Sequence, residues 1–207
     1  MFQVRFLSRA LCLAAVCLAL CQTAAFATEL DSIYVRVRIS PGQMANWLRS
    51  PMKHMHDFND WSEMTPEWDE SWKSHFYTWD FETMWAMVKA RVREGSSRLA
   101  PVWGSRPYIQ YDAKAETFTF AQLAYDENYI NFMLDIAAYR TLADFKDTDG
   151  PDFLVIYPFL WDPGYAVIME IGKGYTRFHT EETAPPEFKE FIETADAHFE
   201  AELEREQ

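Results

Sequence analysis

The sequence predicts an α+β fold: a single domain in which a largely antiparallel sheet of about five or six strands packs against four or five helices. Apolar residues make up 49% of the 207-residue chain and aromatic residues 16%, which is enough to fill a core. The predicted strands occur in adjacent pairs and do not alternate singly with helices, and this order favours α+β over a doubly wound fold. No internal repeat or low-complexity stretch divides the chain after residue 27.

The N-terminal segment, residues 1–27, has the layout of a secretory signal peptide. Arg5 and Arg9 precede an apolar run, and Ala25-Phe26-Ala27 forms a small-x-small cleavage site. The apolar run, about 12 residues, is shorter than the roughly 20 that a permanent transmembrane helix needs. We therefore predict cleavage after Ala27, a single domain over residues 28–207, and a periplasmic or secreted location.

All three cysteines, Cys12, Cys17 and Cys21, lie inside this predicted signal. The mature domain would therefore contain no disulfide, no cysteine nucleophile and no cysteine-ligated zinc. A lipid anchor at Cys21 is the less favoured alternative, because Leu20 stands where lipoprotein signals prefer a small residue.

The first predicted strand covers residues 33–39, where Ile33, Val35, Val37 and Ile39 alternate with Tyr34, Arg36 and Arg38. This period of two is typical of a strand with one buried face. Ser40 and Pro41 then begin a short helix that ends before Pro51. Residues 51–64 have no clean period and are predicted to be a loop.

Two helices are predicted next, over residues 65–79 and 80–95, because apolar residues recur there at intervals of three and four. Residues 95–107 form a connection. A hairpin of strands 108–111 and 117–120 follows, and Asp126 is predicted to cap a long helix that runs to about residue 143.

Residues 153–160 are apolar almost throughout, as expected for a central strand, and a turn at 161–164 leads into a strand over 165–171. A short strand is predicted over 175–178. Pro185-Pro186 introduces a last helix whose inward face carries Phe188, Phe191, Ile192, Ala195, Phe199 and Leu203. Its many acidic residues and His198 are interpreted as a solvated face.

The overall charge excludes one class of function. The chain has 19 Lys and Arg against 32 Asp and Glu, a formal net charge of −13. A nucleic acid would be repelled by such a surface, so we expect no nucleic-acid partner.

Signatures of common enzyme classes are missing from the sequence. It has no Gly-x-Ser-x-Gly elbow, no His-Glu-x-x-His, no glycine-rich phosphate loop and no dinucleotide fingerprint. We therefore assign no catalytic residue and no cofactor, and expect a binding protein rather than an enzyme. His54 and His56, with Asp57 and His75, could supply zinc ligands, but we interpret them as exposed loop histidines and assign no metal site.

One acidic segment is the predicted partner-binding site. Trp61 lies in the predicted loop among carboxylates, an arrangement that suits an exposed aromatic anchor whose charges steer a basic partner. The predicted binding residues are Asp57, Asp60, Trp61, Glu63, Glu67, Asp69 and Glu70.

Export, acidity and the missing catalytic signatures lead to the functional hypothesis. We expect a periplasmic immunity or inhibitor protein that neutralises a cell-envelope toxin or enzyme by binding a basic surface. A homo-oligomer and a structural envelope subunit both remain compatible with the sequence.

The alternative is a protein that binds or hydrolyses an envelope glycan such as peptidoglycan. Aromatic residues crowd positions 58–85, and two carboxylates can act as acid and base in glycoside cleavage. The helical spacing of Trp68, Trp72, Phe76 and Trp79 favours a buried stripe instead.

Overall fold

The computed structural model describes residues 31–51, 53, 55–64, 86, 89–90, 92–93, 107–126, 129–158 and 164–205, with side chains described for all of these except 56, 124–126 and 129–131. Six strands form one antiparallel sheet in the order β2-β3-β1-β4-β5-β6. Their bounds are β1 Asp31–Arg38, β2 Tyr108–Asp112, β3 Thr117–Asp126, β4 Asp152–Tyr157, β5 Val167–Gly172 and β6 Tyr175–His179.

Four α-helices are present in the described part of the chain. They are α1 Pro41–Arg49, α2 Trp61–Met64, α3 Tyr129–Arg140 and α4 Glu187–Arg205, and single 3-10 turns cover Met55–Asp57 and Thr141–Asp144. The predicted α+β class, with its single domain and antiparallel sheet, is confirmed. None of these helices is long and apolar enough to cross a membrane.

Strand β1 lies at the centre of the sheet, between β3 and β4. Ile33, Val35 and Val37 are fully buried on one face, as predicted, but Tyr34 on the other face is only 3% exposed. The second face is therefore also covered at Tyr34, a point that the alternation in the sequence left open. Alternation of apolar and polar residues shows which side chains share a face of a strand. Whether the second face is also buried depends on whether a helix packs against it.

The sheet separates two apolar cores. On one side α1 and α3 pack against the strands, and Trp47, Phe118 and Tyr139 are among the fully buried side chains there. On the other side α4 covers Tyr34, Phe153, Val155 and Ile168. Since both faces are covered, β4 and β5 are buried almost throughout, which confirms the central-strand prediction for the apolar run after residue 152.

Helix α4 confirms the predicted inward face in all but one position. Phe188, Phe191, Ile192, Ala195 and Phe199 are at most 9% exposed. Leu203, predicted to point inward, is 37% exposed because it lies near the end of the helix.

Strand β3 is longer than predicted and continues to Asp126, which pairs with Asp31. Asp126 is therefore a strand residue, and its predicted role as a helix cap is wrong. Phe120 and Gln122 continue the pairing with Val35 and Ile33, so the ladder with β1 overrides the local capping tendency of an aspartate.

Residues 51–64 were predicted to be a loop, and this is wrong for the 3-10 turn and for α2. Met55 is fully buried and Trp61 is 3% exposed, so burial of these two side chains organises the segment. The indole N–H of Trp61 donates to the carbonyl of Met55 at 2.8 Å. Of the two helices predicted over 65–95, residues 86, 89–90 and 92–93 are helical. The remainder, with the aromatic stripe at Trp68, Trp72, Phe76 and Trp79, lies outside the described residues.

Candidate functional site

The predicted partner-binding residues do not form one exposed surface. Asp57 and Glu63 are exposed, but the prediction that Trp61 is exposed is wrong. Its ring packs against Phe58 at 6.0 Å and Phe178 at 6.1 Å, measured between centroids. An aromatic ring flanked by acidic residues in the sequence resembles a surface anchor, and only the packing of α2 on the sheet shows that it is a core residue. Glu67, Asp69 and Glu70 lie outside the described residues.

Asp60, beside Trp61, is held by an internal ion pair. Arg140 is 4% exposed at its side chain and its Nη2 donates to Asp60 Oδ2 at 2.6 Å, while its Nε donates to Thr176 at 3.0 Å. The guanidinium carbon lies 4.0 Å from the ring centre of Phe58 and 5.0 Å from that of Trp61. This cluster fastens residues 58–61 to α3 and β6, and a pair so arranged is costly to break.

A second acidic surface lies along α4, on the face that the sequence predicts to be solvated. We call it the acidic α4 face; its exposed carboxylates belong to Glu187, Glu190, Glu193, Asp196, Glu200 and Glu204. Lys189 and Arg205 are the only Lys or Arg of this helix. Arg205 pairs with Glu202 at 2.6 Å, and Lys189 lies 4.0 Å from Glu193 with both side chains well exposed. The face therefore remains strongly anionic.

A groove runs beside the first turns of α4. Its volume is about 480 Å³, and its lining residues are Tyr165, Glu181, Ala184, Pro185, Pro186, Phe188, Lys189, Ile192 and Glu193. The ring of Tyr165 meets Tyr157 and Phe188 edge-on at centroid distances of 5.4 and 5.5 Å. One wall is the turn 180–184, closed by the amide of Ala184 donating to the carbonyl of Thr180 at 3.0 Å. We call this the α4 groove.

Burial and nearby carboxylates raise the pKa of the two tyrosines under α4, Tyr157 and Tyr165. Burial raises the pKa of Tyr165, and the carboxylates of Asp196 and Glu181 raise it further. Burial likewise raises the pKa of Tyr157, whose hydroxyl donates to Asp196 at 2.9 Å. A cation placed in this field would be attracted.

Two buried ionic clusters link neighbouring segments of the sheet. Glu170 on β5 accepts hydrogen bonds from the hydroxyl of Tyr175 at 2.6 Å and from Nε2 of His179 at 2.8 Å, both on β6. Burial acts to raise the pKa of Glu170, but these two hydrogen bonds, together with the electrostatic effects of His179 and Arg177, outweigh it and lower the pKa. The cluster ties the edge strand β6 to β5.

The second cluster surrounds Asp152 at the start of β4. Its carboxylate accepts from Nε of Arg38 at 2.8 Å and from the buried ammonium of Lys146, which also donates to Thr148 at 2.7 Å. Burial lowers the pKa of Lys146, although Asp152 opposes this. The contacts hold the connection between α3 and β4 against β1.

In the described part of the chain, no three His, Cys, Asp or Glu side chains are grouped so that they could hold a metal ion. His54, His75 and the side chain of His56 lie outside that part. Comparison of the chain with protein-family models, with curated proteins and with solved structures gave no match.

Proposed function

We propose that this chain is an exported acidic binding protein, and specifically a periplasmic immunity or inhibitor protein that neutralises a cell-envelope toxin or enzyme through a basic surface. The observation that carries the proposal is the acidic α4 face. Six exposed carboxylates on one helix give a field that accelerates encounter with a basic partner.

The platform under this face supports a binding role. Five apolar side chains of α4 are buried against the sheet, so the carboxylates project from a fixed helix. A rigid surface loses less conformational entropy when a partner docks than a mobile one.

The glycan alternative has less support. Trp61 is buried and Phe58 lies under the guanidinium of Arg140, so neither offers a free stacking face. The other aromatic residues of positions 58–85 lie outside the described residues.

Affinity capture with residues 28–207 tests the proposal. The immobilised chain is exposed to envelope and secreted extracts at low salt, and retained proteins are identified by mass. We expect one stoichiometric basic protein that is released by salt, because exposed ion pairs are screened. Recovery of glycan fragments alone, or of no protein, would contradict the proposal.

Two matched variants then locate the surface. E190Q/E200Q removes two of the six charges of the acidic α4 face, and D57N/E63Q removes two charges from the described residues of the predicted partner-binding segment. We expect the first to slow association with the captured protein by about tenfold or more at low salt, with a smaller effect above 0.3 M salt. A slower rate only in D57N/E63Q would move the site to that segment.

A further inference from the structure

The α4 groove has an apolar part and a charged part. We call its buried and half-buried lining residues the floor, and these are apolar: Tyr165, Ala184, Pro185, Phe188 and Ile192. We call its exposed lining residues the rim, which carries the carboxylates of Glu181 and Glu193 and the ammonium of Lys189. An apolar ligand would gain binding free energy from contact with the floor but not with the rim. An inorganic cation would gain it only from the rim. A side chain with an apolar stem and a cationic end gains from both.

We propose that the α4 groove seats an arginine side chain of the basic partner. The inference rests on the proposed function and names the chemical group that the partner inserts. Charge complementarity carries it, because two carboxylates, those of Glu181 and Glu193, line the groove and would attract a cation.

Arginine fits better than lysine for two physical reasons. A guanidinium is more weakly hydrated than an ammonium and can stack on an aromatic ring such as that of Tyr165. Its planar set of donors can also reach more than one carboxylate, whereas an ammonium acts as a compact point charge.

One lining residue of the groove is itself a cation that competes for Glu193. Lys189 lines the groove and lies 4.0 Å from Glu193, with 85% of its side chain exposed. Such an exposed pair contributes little to stability, so an incoming guanidinium can displace it. Removal of this lysine should therefore strengthen binding, which a general loss of structure would not do.

The test uses the chain 28–207 and a short peptide, so it does not depend on finding the partner. Acetyl-Ala-Arg-Ala-amide is titrated at low salt and followed by NMR, with the same peptide containing citrulline as the neutral control. We expect saturable shifts at Tyr165 and Ile192 from the arginine peptide, with a dissociation constant in the millimolar range, and none from the citrulline peptide.

Four variants make the result specific. E181Q/E193Q should raise the dissociation constant about fivefold, while E200Q/E204Q, which removes the same charge away from the groove, should change it less than twofold. A184L, which fills the floor without a change in charge, should weaken binding, and K189Q should strengthen it. Unperturbed amide spectra of each variant establish that it is folded.

Equal shifts with the citrulline peptide, or equal weakening in E181Q/E193Q and E200Q/E204Q, would overturn the inference. If the arginine peptide does not bind the α4 groove while a basic protein is still captured, the partner docks elsewhere and the proposed function stands. If no basic protein is captured, the proposed function fails whatever the peptide does.

Discussion

Trp47 shows how a single polar atom is accommodated in the core of this protein. The side chain is fully buried, and its indole N–H donates to Thr141 Oγ1 at 2.7 Å. The same hydroxyl donates to the carbonyl of Ala138 at 2.6 Å. Thr141 therefore links α1 to the end of α3, and it accepts a hydrogen bond from a buried donor.

We expect T141V to lower the free energy of unfolding by about 1–3 kcal/mol, because valine keeps the shape but leaves the indole N–H unpaired. Urea unfolding measures the change. In W47F/T141V the donor is absent, so the loss should be smaller than the sum of the single losses. Strict additivity would show that the hydrogen bond contributes nothing.

His198 corrects the expectation of a solvated residue on the last helix. Its ring lies 4.6 Å from that of Tyr108 and 5.6 Å from that of Tyr34, between centroids. Its Nε2 is buried and has no hydrogen-bond partner among the described residues. Burial lowers its pKa; Arg205 adds to this effect, and Glu202 opposes it.

The shift predicts a loss of stability in mild acid. The unfolded chain takes up a proton as the pH falls through about 6.5, whereas the folded imidazole takes it up only at a lower pH, so protonation favours unfolding. The contribution of the neutral His198 side chain to the free energy of unfolding is therefore complete above about pH 6.5 and declines below it. We expect the free energy of unfolding to fall less between pH 7.5 and 5.5 in H198F than in the unmodified chain. Equal declines would contradict this assignment.

At the scale of an element, α4 carries both favourable and unfavourable charges. Glu187 and Glu190 lie in its first turn, where the helix dipole favours anions. Glu200 and Glu204 are four residues apart near the other end, where they repel each other and the dipole opposes them. A helix selected only for stability would not place carboxylates there.

We expect E200Q/E204Q to raise the free energy of unfolding by about 0.3–1 kcal/mol at low salt, and E187Q to lower it by a similar amount. Thermal or urea unfolding in 20 mM and 300 mM salt gives the comparison, and both effects should shrink in the higher salt. A loss of stability in E200Q/E204Q would show that these carboxylates serve the fold.

At the scale of the whole molecule, the sheet separates the two acidic surfaces. The 3-10 turn and α2, which carry Asp57 and Glu63, pack with Trp61 on the α3 side, whereas the acidic α4 face lies on the other side. A compact partner is therefore expected to contact only one of them. This is the structural reason why the paired variants in the association experiment discriminate between the two sites.

Much of the fold was predictable from the sequence, because in several elements the local residue pattern agrees with the tertiary structure. Strand β1, the hairpin β2-β3 and the inward face of α4 follow periods of two or of three and four. The length of β3 was not predictable from the sequence, because its last residues pair with β1, which is far away in the chain. The candidate site on α4 was not predicted: the binding site was expected among residues 57–70, and the acidic residues of the last helix were interpreted as a solvated face.

The sequence by itself determined the α+β class, the succession of strands and helices over residues 31–50 and 107–205 as far as they are described, the net charge of −13 and the absence of common catalytic motifs. Composition, period and turn residues carry that information locally. Only the tertiary structure decided that Trp61 is buried, that Asp60 is held by Arg140, and that the α4 groove lies between α4 and Tyr165. Burial, ion pairing and cavities depend on which distant segments pack together, and local patterns do not encode that choice.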